Sequence, residues 1–285
     1  MSRQALIERI RALSRPLQPL PTGRPPRLPE LPLASRTVIF DVYGTLLISA
    51  SGDVGTTAED SREALTAALA AVELSADAGA LLEALHAAIT ASHRKSREAE
   101  GIDYPEIDIR ECWAEAFHAV GMPILDRVTL ERLAIEYECR VNPTWPMPGA
   151  GRLLLRLHRS GYRLGILSNA QFYTPLVLEA LLGAPVEALG FDPALCLWSW
   201  RTGHGKPSAW LFHNLDRRLA GEPAPLYVGN DLLKDIWPAS AVGWHTALFA
   251  GDARSLRLRE GDPRVREVRP DAVVTELAQI SEILK

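Results

Sequence analysis

Cysteine is scarce in this chain of 285 residues. Cys112, Cys139 and Cys196 form no CxxC pair and no even-numbered framework, which excludes a disulfide scaffold and a thiol metal site. They read as buried, reduced thiols, the pattern expected of a cytoplasmic protein. No stretch of eighteen apolar residues occurs, so no membrane span is expected. Arg3, Glu8, Arg9 and Arg11 interrupt every short apolar run near the start, so no secretory leader is expected either. Long basic runs are also missing and the net charge is -4, which argues against nucleic acid or a membrane surface as the partner. No GxGxxG opens a helix after a strand, GHGKPS has the wrong spacing for a triphosphate loop, and the seven histidines show no HExxH spacing. Dinucleotide, nucleoside-triphosphate and zinc chemistry are therefore not expected. No internal repeat is visible.

What is present has an order. Residues 4–14 carry helical spacing, with Leu6, Ile10 and Leu13 on one side. A proline-dense stretch comes next, and proline's fixed φ and missing donor predict an extended strap. TVIF, ending at Asp41, reads as a buried strand. Residues 56–143 are rich in Ala, Leu and Glu at helical spacing and predict a wholly helical block. After TWPMPG, strands and helices alternate: YRLGILS, ALCLWSW, APLYVGN and HTALFA as strands, with a helix over LLKDIWPASAVG. This rhythm predicts an α/β fold, a doubly wound and mostly parallel sheet of the Rossmann type. Three units are expected: 1–35, an N-terminal helix and strap; 36–55 with 144–285, the α/β core; and 56–143, a helical domain.

In such a sheet, ligands collect at the carboxyl ends of the strands. Four segments place reactive side chains there: FDVYGTL with Asp41, LSNA with Ser168 and Asn169, GHGKPS with Lys206, and GNDLLKD with Asn230, Asp231 and Asp235. Singly, each could be an N-cap or a turn residue. All four in one order on one sheet point to chemistry.

That order resembles the haloacid dehalogenase (HAD) superfamily over about residues 38–47 and from 144 onward. The helical block stands where that family has a mobile cap. The resemblance implies that Asp41 is a nucleophile forming a covalent intermediate. It implies that Ser168, with Asn169 and Thr45, holds the substrate and that Lys206 offsets charge on nucleophile and substrate. Asp231, Asn230 and Asp235, together with Asp41 and the Tyr43 carbonyl, would bind Mg²⁺. The phosphatases of the superfamily place a second Asp where this chain has Tyr43, and a phenol is a poor acid or base at neutral pH. Tyr in DVYGTL is similar to the 2-haloacid dehalogenase branch, although the arginine which that branch uses for halide is missing soon after the first motif. Three carboxylates facing Lys206 alone would call for a cation. The expectation is therefore a Mg²⁺-dependent phosphatase acting on a small phosphate ester. The alternatives are a metal-independent 2-haloacid dehalogenase and a catalytically weak ligand-binding relative. Tyr104, Asp108 and Arg110 are candidate specificity residues in the helical block, with hinges at 52–55 and 143–148. Trp113 and Phe117 read as cap core, and Trp198, Trp200, Trp210 and Trp237 as packing rather than function. Cap and edge-strand dimers are both compatible with the sequence.

Overall fold

The computed structural model describes residues 2–51 and 58–284. TVIF forms β1 (Thr37–Phe40), every residue of which is buried. It pairs in parallel with β4 (Arg163–Ser168) on one side and β6 (Leu226–Gly229) on the other. β5 (Phe191–Trp198), β7 (His245–Phe249) and β8 (Ala272–Val274) complete a six-stranded sheet in the order β5-β4-β1-β6-β7-β8, all parallel.

Side chains of β1 alternate between two apolar layers, as a sheet covered on both faces requires. Val38 and Phe40 join the layer containing Leu153 and Leu157 of α6 (Ala150–Arg159) and Val177 and Leu178 of α7 (Thr174–Leu182). Ile39 joins the opposite layer with Leu211, Phe212 and Leu215 of the helix Ala209–Arg218. The expected α/β doubly wound architecture is therefore present.

Two features differ from the sequence reading. ALCLWSW is not one strand, because Ser199 and Trp200 begin a short helical turn, Ser199–Thr202. LLKDIWPASAVG is not one regular helix either. It opens as a π-helical turn, Leu232–Ile236, whose first amides are capped by the Asp231 carboxylate (Leu233 N 2.8 Å, Lys234 N 3.1 Å).

The helical block contains α2 (Ala58–Ala71), α3 (Ala78–Glu100), α4 (Ile109–Ala119) and α5 (Arg127–Val141). Trp113 and Phe117 lie in its core, with ring centroids 6.3 Å apart. Where the chain leaves and re-enters the sheet, β2 (Leu47–Ser49) and β3 (Thr144–Pro146) pair as an antiparallel ribbon. The expected hinge at 52–55 lies outside the described residues.

The N-terminal helix α1 (Arg3–Leu13) is a brace rather than an appendage. Leu6, Ile7 and Ile10 are buried, Arg9 pairs with the fully buried Glu136 of α5, and Arg3 pairs with Glu179 of α7. The proline-dense segment then runs along the far edge of the sheet, where Arg27 exchanges both backbone hydrogen bonds with Val273 of β8 (2.8 and 2.9 Å). An exposed edge strand is a site for unwanted pairing, and this segment covers it. Among the described residues, no helix is long and apolar enough to cross a membrane. The cysteines are free, and burial pushes all three thiols up to about 12, which keeps them unreactive.

Candidate functional site

Register brings the reactive segments together. Phe40 is level with Ile166 of β4 and Val228 of β6, so Asp41, Ser168 and Asn230 emerge beside one another at the carboxyl end of the sheet. The backbone N–H of Asp41 donates to the Val228 carbonyl at 2.9 Å. A small cavity of about 100 Å³ lies here. Its lining includes Asp41, Tyr43, Asn169, Lys206, Asn230, Asp231 and Asp235 from the sequence expectation.

Asp41 is 5 % exposed. Its Oδ1 accepts hydrogen bonds from Ser168 Oγ (2.9 Å) and Lys206 Nζ (2.7 Å). Its Oδ2 has only a long contact from Thr45 Oγ1 at 3.4 Å, so this oxygen keeps its lone pairs available. Thr45 also reaches Asn230 Oδ1 at 3.3 Å. Asn169 holds the Lys206 backbone, accepting from its N–H at 2.6 Å.

Gly44 makes this convergence possible. It sits at φ +83, and a Cβ there would lie 2.5 Å from both Asn230 Nδ2 and Ser255 Cβ.

Lys206 is buried between two carboxylates, at 2.7 Å from Asp41 and 2.5 Å from Asp235. Burial alone would lower its pKa, but the charges of Asp235 and Asp41 outweigh that and raise it, so it stays an ammonium. Asp235 is pushed up by burial, pulled back by Lys206 and pushed up again by Asp41 and Asp231, ending at about 6. Both its oxygens are occupied. Oδ1 meets Lys206 Nζ and the Tyr227 hydroxyl (3.0 Å), and Oδ2 accepts the N–H groups of Asn230 and Asp231 (3.0 Å each).

The charge balance differs from the sequence expectation. Asp231 is held by Arg259, with Nη2 2.6 Å and Nε 3.1 Å from Oδ2. Lys234 and Arg257 also line the cavity. Asp41 and Asp235 thus share Lys206, Asp231 meets Arg259, and Lys234 and Arg257 line the same cavity, which weakens the electrostatic case for an added cation.

The expected magnesium ligands fit poorly in this arrangement. Asp235 has no oxygen to spare, and Asp231 spends Oδ2 on Arg259 and Oδ1 on two backbone amides. Asn230 Nδ2 donates to the Ser255 carbonyl at 2.6 Å, and its Oδ1 faces Thr45. Among the described residues, no group of three or more His, Cys, Asp or Glu side chains is placed to hold a metal ion.

The Tyr43 phenol, expected to be a poor acid or base, is engaged away from the nucleophile. Its hydroxyl lies 3.0 Å from Thr174 Oγ1. Burial, and after it the charge of Glu138, raises its pKa above the ordinary phenol value.

None of the helical-block candidates lines the cavity, although the Tyr104 carbonyl accepts from the N–H of Gly205 at 2.7 Å, next to Lys206. Asp108 caps α4 and pairs with Arg110 at 2.5 Å, and Arg110 also reaches Glu131 at 2.8 Å. The Arg110 guanidinium lies over Phe172 (4.6 Å) and Trp200 (4.8 Å), clamping the helical block to the sheet domain's side chains. The Tyr104 hydroxyl meets Arg264 at 2.6 Å. Trp198 is buried, Trp237 lies under Arg264, and Trp210 stacks on His204 but is 39 % exposed.

Sequence reasoning missed Tyr227, Ser255, Arg257 and Arg259. The one signal for Tyr227 is a tyrosine inside a wholly buried apolar strand. For the others it is the run of arginines just beyond the carboxyl end of HTALFA.

The sequence signature of the haloacid dehalogenase-like hydrolases matches residues 35–243, most of the chain and all four segments at the cavity. The chain belongs to that family. This HAD hydrolase has no match among curated proteins. It has the fold of 2-haloacid dehalogenase from Pseudomonas syringae pv. Tomato DC3000, at 19 % identity and TM-score 0.53, over 88 % of this chain and 98 % of the other. A HAD phosphatase from Thermococcus onnurineus is 21 % identical over 87 % of this chain and 97 % of its own, with TM-score 0.48. A HAD hydrolase from Bacillus subtilis, solved with bound magnesium, is 19 % identical over 88 % and 99 %, also with TM-score 0.48.

Proposed function

We propose that this HAD hydrolase cleaves a carbon–halogen bond in a small 2-halocarboxylate, using Asp41 as nucleophile and neither metal nor general acid. The observation that carries the reading is the state of the groups a phosphatase would need. The Tyr43 hydroxyl is spent on Thr174, and Asp231 is neutralised by Arg259. Halide needs no proton to leave, whereas an alkoxide does.

Asp41 Oδ2 attacks the carbon bearing the halogen, and the halide departs with the bonding pair, leaving an ester on Asp41. Ser168 and Lys206 fix Oδ1, so the attacking oxygen is oriented without further rearrangement. Water then attacks the ester carbonyl, releasing the 2-hydroxy acid, restoring the carboxylate and freeing one proton. The helical block acts as the cap, with 56–143 as its domain and α1 bracing it against the core.

A second reading, Mg²⁺-dependent hydrolysis of a phosphate monoester, is favoured by one observation: Asn230 and Asp231 stand at the end of β6 beside Asp41. It requires Arg259 to release Asp231. Chloride release from 2-chloropropionate in EDTA, for wild type and Asp41→Asn, tests the first reading. Silence there, with Asp41-dependent turnover of p-nitrophenyl phosphate restored by Mg²⁺, would replace it with the second.

A further inference from the structure

The segment after β7 brings two groups into the cavity that none of the family motifs contains. Asp252 builds its turn, its carbonyl accepting from the N–H groups of Ser255 (3.1 Å) and Leu256 (3.0 Å). The segment then runs beside the end of β6. Arg257 N–H donates to the Asn230 carbonyl (3.0 Å), Leu232 N–H donates to the Arg257 carbonyl (2.8 Å), and the Ser255 carbonyl accepts from Asn230 Nδ2 (2.6 Å). Main chain is thus fixed on both sides of the two side chains.

Ser255 is 4 % exposed and lines the cavity, yet its Oγ has no hydrogen-bond partner among the described residues. A buried hydroxyl left unpaired costs free energy, so such groups are commonly satisfied by what binds them. Arg257 lines the same cavity. Among the described residues its only side-chain hydrogen bond runs from Nη1 to the adjacent Leu256 carbonyl (3.0 Å), and it makes no ion pair. Arg259, two residues on, is already spent on Asp231. Lys206 and Ser168 are likewise spent on Asp41.

We infer that Ser255 and Arg257 form the subsite for the substrate's carboxylate. This rests on the halocarboxylate reading for the identity of the substrate, while the subsite itself rests on the geometry of this segment. A guanidinium presents two parallel N–H donors that match a carboxylate, and the Ser255 hydroxyl supplies a third donor. The anchored carboxylate would present the neighbouring carbon to Asp41 Oδ2. Neutral analogues would lose the anchor.

The test uses ligands without a leaving group, so that binding is read apart from turnover. Propionate and propionamide are titrated calorimetrically into the full chain as wild type, Arg257→Gln, Arg257→Lys and Ser255→Ala. Propionate should bind wild type, weaken at least about tenfold in Arg257→Gln and recover in part in Arg257→Lys. Ser255→Ala should weaken it by a smaller factor, and propionamide should not distinguish the variants. The Arg257 side chain holds only its neighbour's carbonyl, so these variants should keep the wild-type melting temperature. Wild-type propionate affinity in Arg257→Gln, or no propionate binding by wild type, overturns the subsite. With 2-chloropropionate, Arg257→Gln should raise KM far more than it lowers kcat. If halide is released and KM is unchanged in Arg257→Gln, the subsite fails and the function stands. If wild type releases no halide but binds propionate through Arg257, the function fails and the subsite stands.

Discussion

Replacing Asp235 with Asn exchanges one atom for another of nearly the same size, yet the structure requires a large cost. Asp235 is 1 % exposed and accepts from Lys206, Tyr227 and two backbone amides. An amide has one acceptor oxygen. If that oxygen faces the backbone amides, its NH₂ group points at the Lys206 ammonium, donor against donor. If it faces Lys206, two buried N–H groups lose their partner. Removing one member of a buried ion pair typically costs about 3–5 kcal/mol, because the remaining charge stays buried. Lys206 keeps Asp41, which places the expected loss near the lower end, about 3 kcal/mol. Unfolding entropy of about 2.1 cal/mol/K per residue converts this to a fall of roughly 5 °C in melting temperature. Scanning calorimetry of wild type and Asp235→Asn measures it. A melting temperature within about 1 °C of wild type for Asp235→Asn would refute the reasoning, since it would mean that Lys206 does not depend on this carboxylate.

Other outcomes rest on the same geometry. Tyr43→Phe should leave turnover within about threefold of wild type and cost about 1 kcal/mol of stability for the lost Thr174 bond; a hundredfold fall in kcat would show the phenol acting as an acid. The acid limb of the pH–rate profile should bend near pH 6, where the Asp235 cluster takes up a proton and Lys206 loses a counter-charge. The sign for stability is opposite: a carboxyl raised from 3.8 to about 6 in the folded chain protonates there first, so this group favours folding as pH falls from 6 to 4. Rate loss in that window without matching loss of melting temperature is expected, and a rate flat down to pH 4 would contradict it. Gly44→Ala should cost about 2–4 kcal/mol, from a left-handed φ and from a Cβ 2.5 Å from Asn230 Nδ2 and Ser255 Cβ, and should lower turnover more than tenfold. A variant with wild-type stability would show that the turn can open.

The strand ends were readable because their cause is local. Val38, Ile39 and Phe40 form a buried apolar run, and the residue next after such a run in a parallel sheet stands at its carboxyl edge. That rule reaches Asp41, Ser168, Asn230 and Asp231, whereas Lys206 and Asp235 follow in the loop and turn beyond strand ends. The helical block was readable for a similar reason, since its period of apolar residues is set within each helix. The surroundings of Asp108 and Arg110 were not readable, because a charged pair at a helix start has the same sequence whatever it faces; here Asp108 pairs with Arg110, whose guanidinium lies over Phe172 and Trp200.

By itself, the sequence determined the layered α/β architecture and the convergence of the motif residues, both of which arise from periodicity and chain order. Only the tertiary structure decided which charges those residues meet. Arg259 neutralises Asp231 from 28 residues away, and α1 reaches across to pair Arg9 with Glu136 at a separation of 127 residues. Neither pairing leaves a periodic trace in the chain, because an ion pair depends on where two backbones cross in space, and that is fixed by packing of the whole core. The sequence suggested a carboxylate-rich site in need of a cation. The folded chain sets Lys206 between Asp41 and Asp235 and brings Arg259 to Asp231.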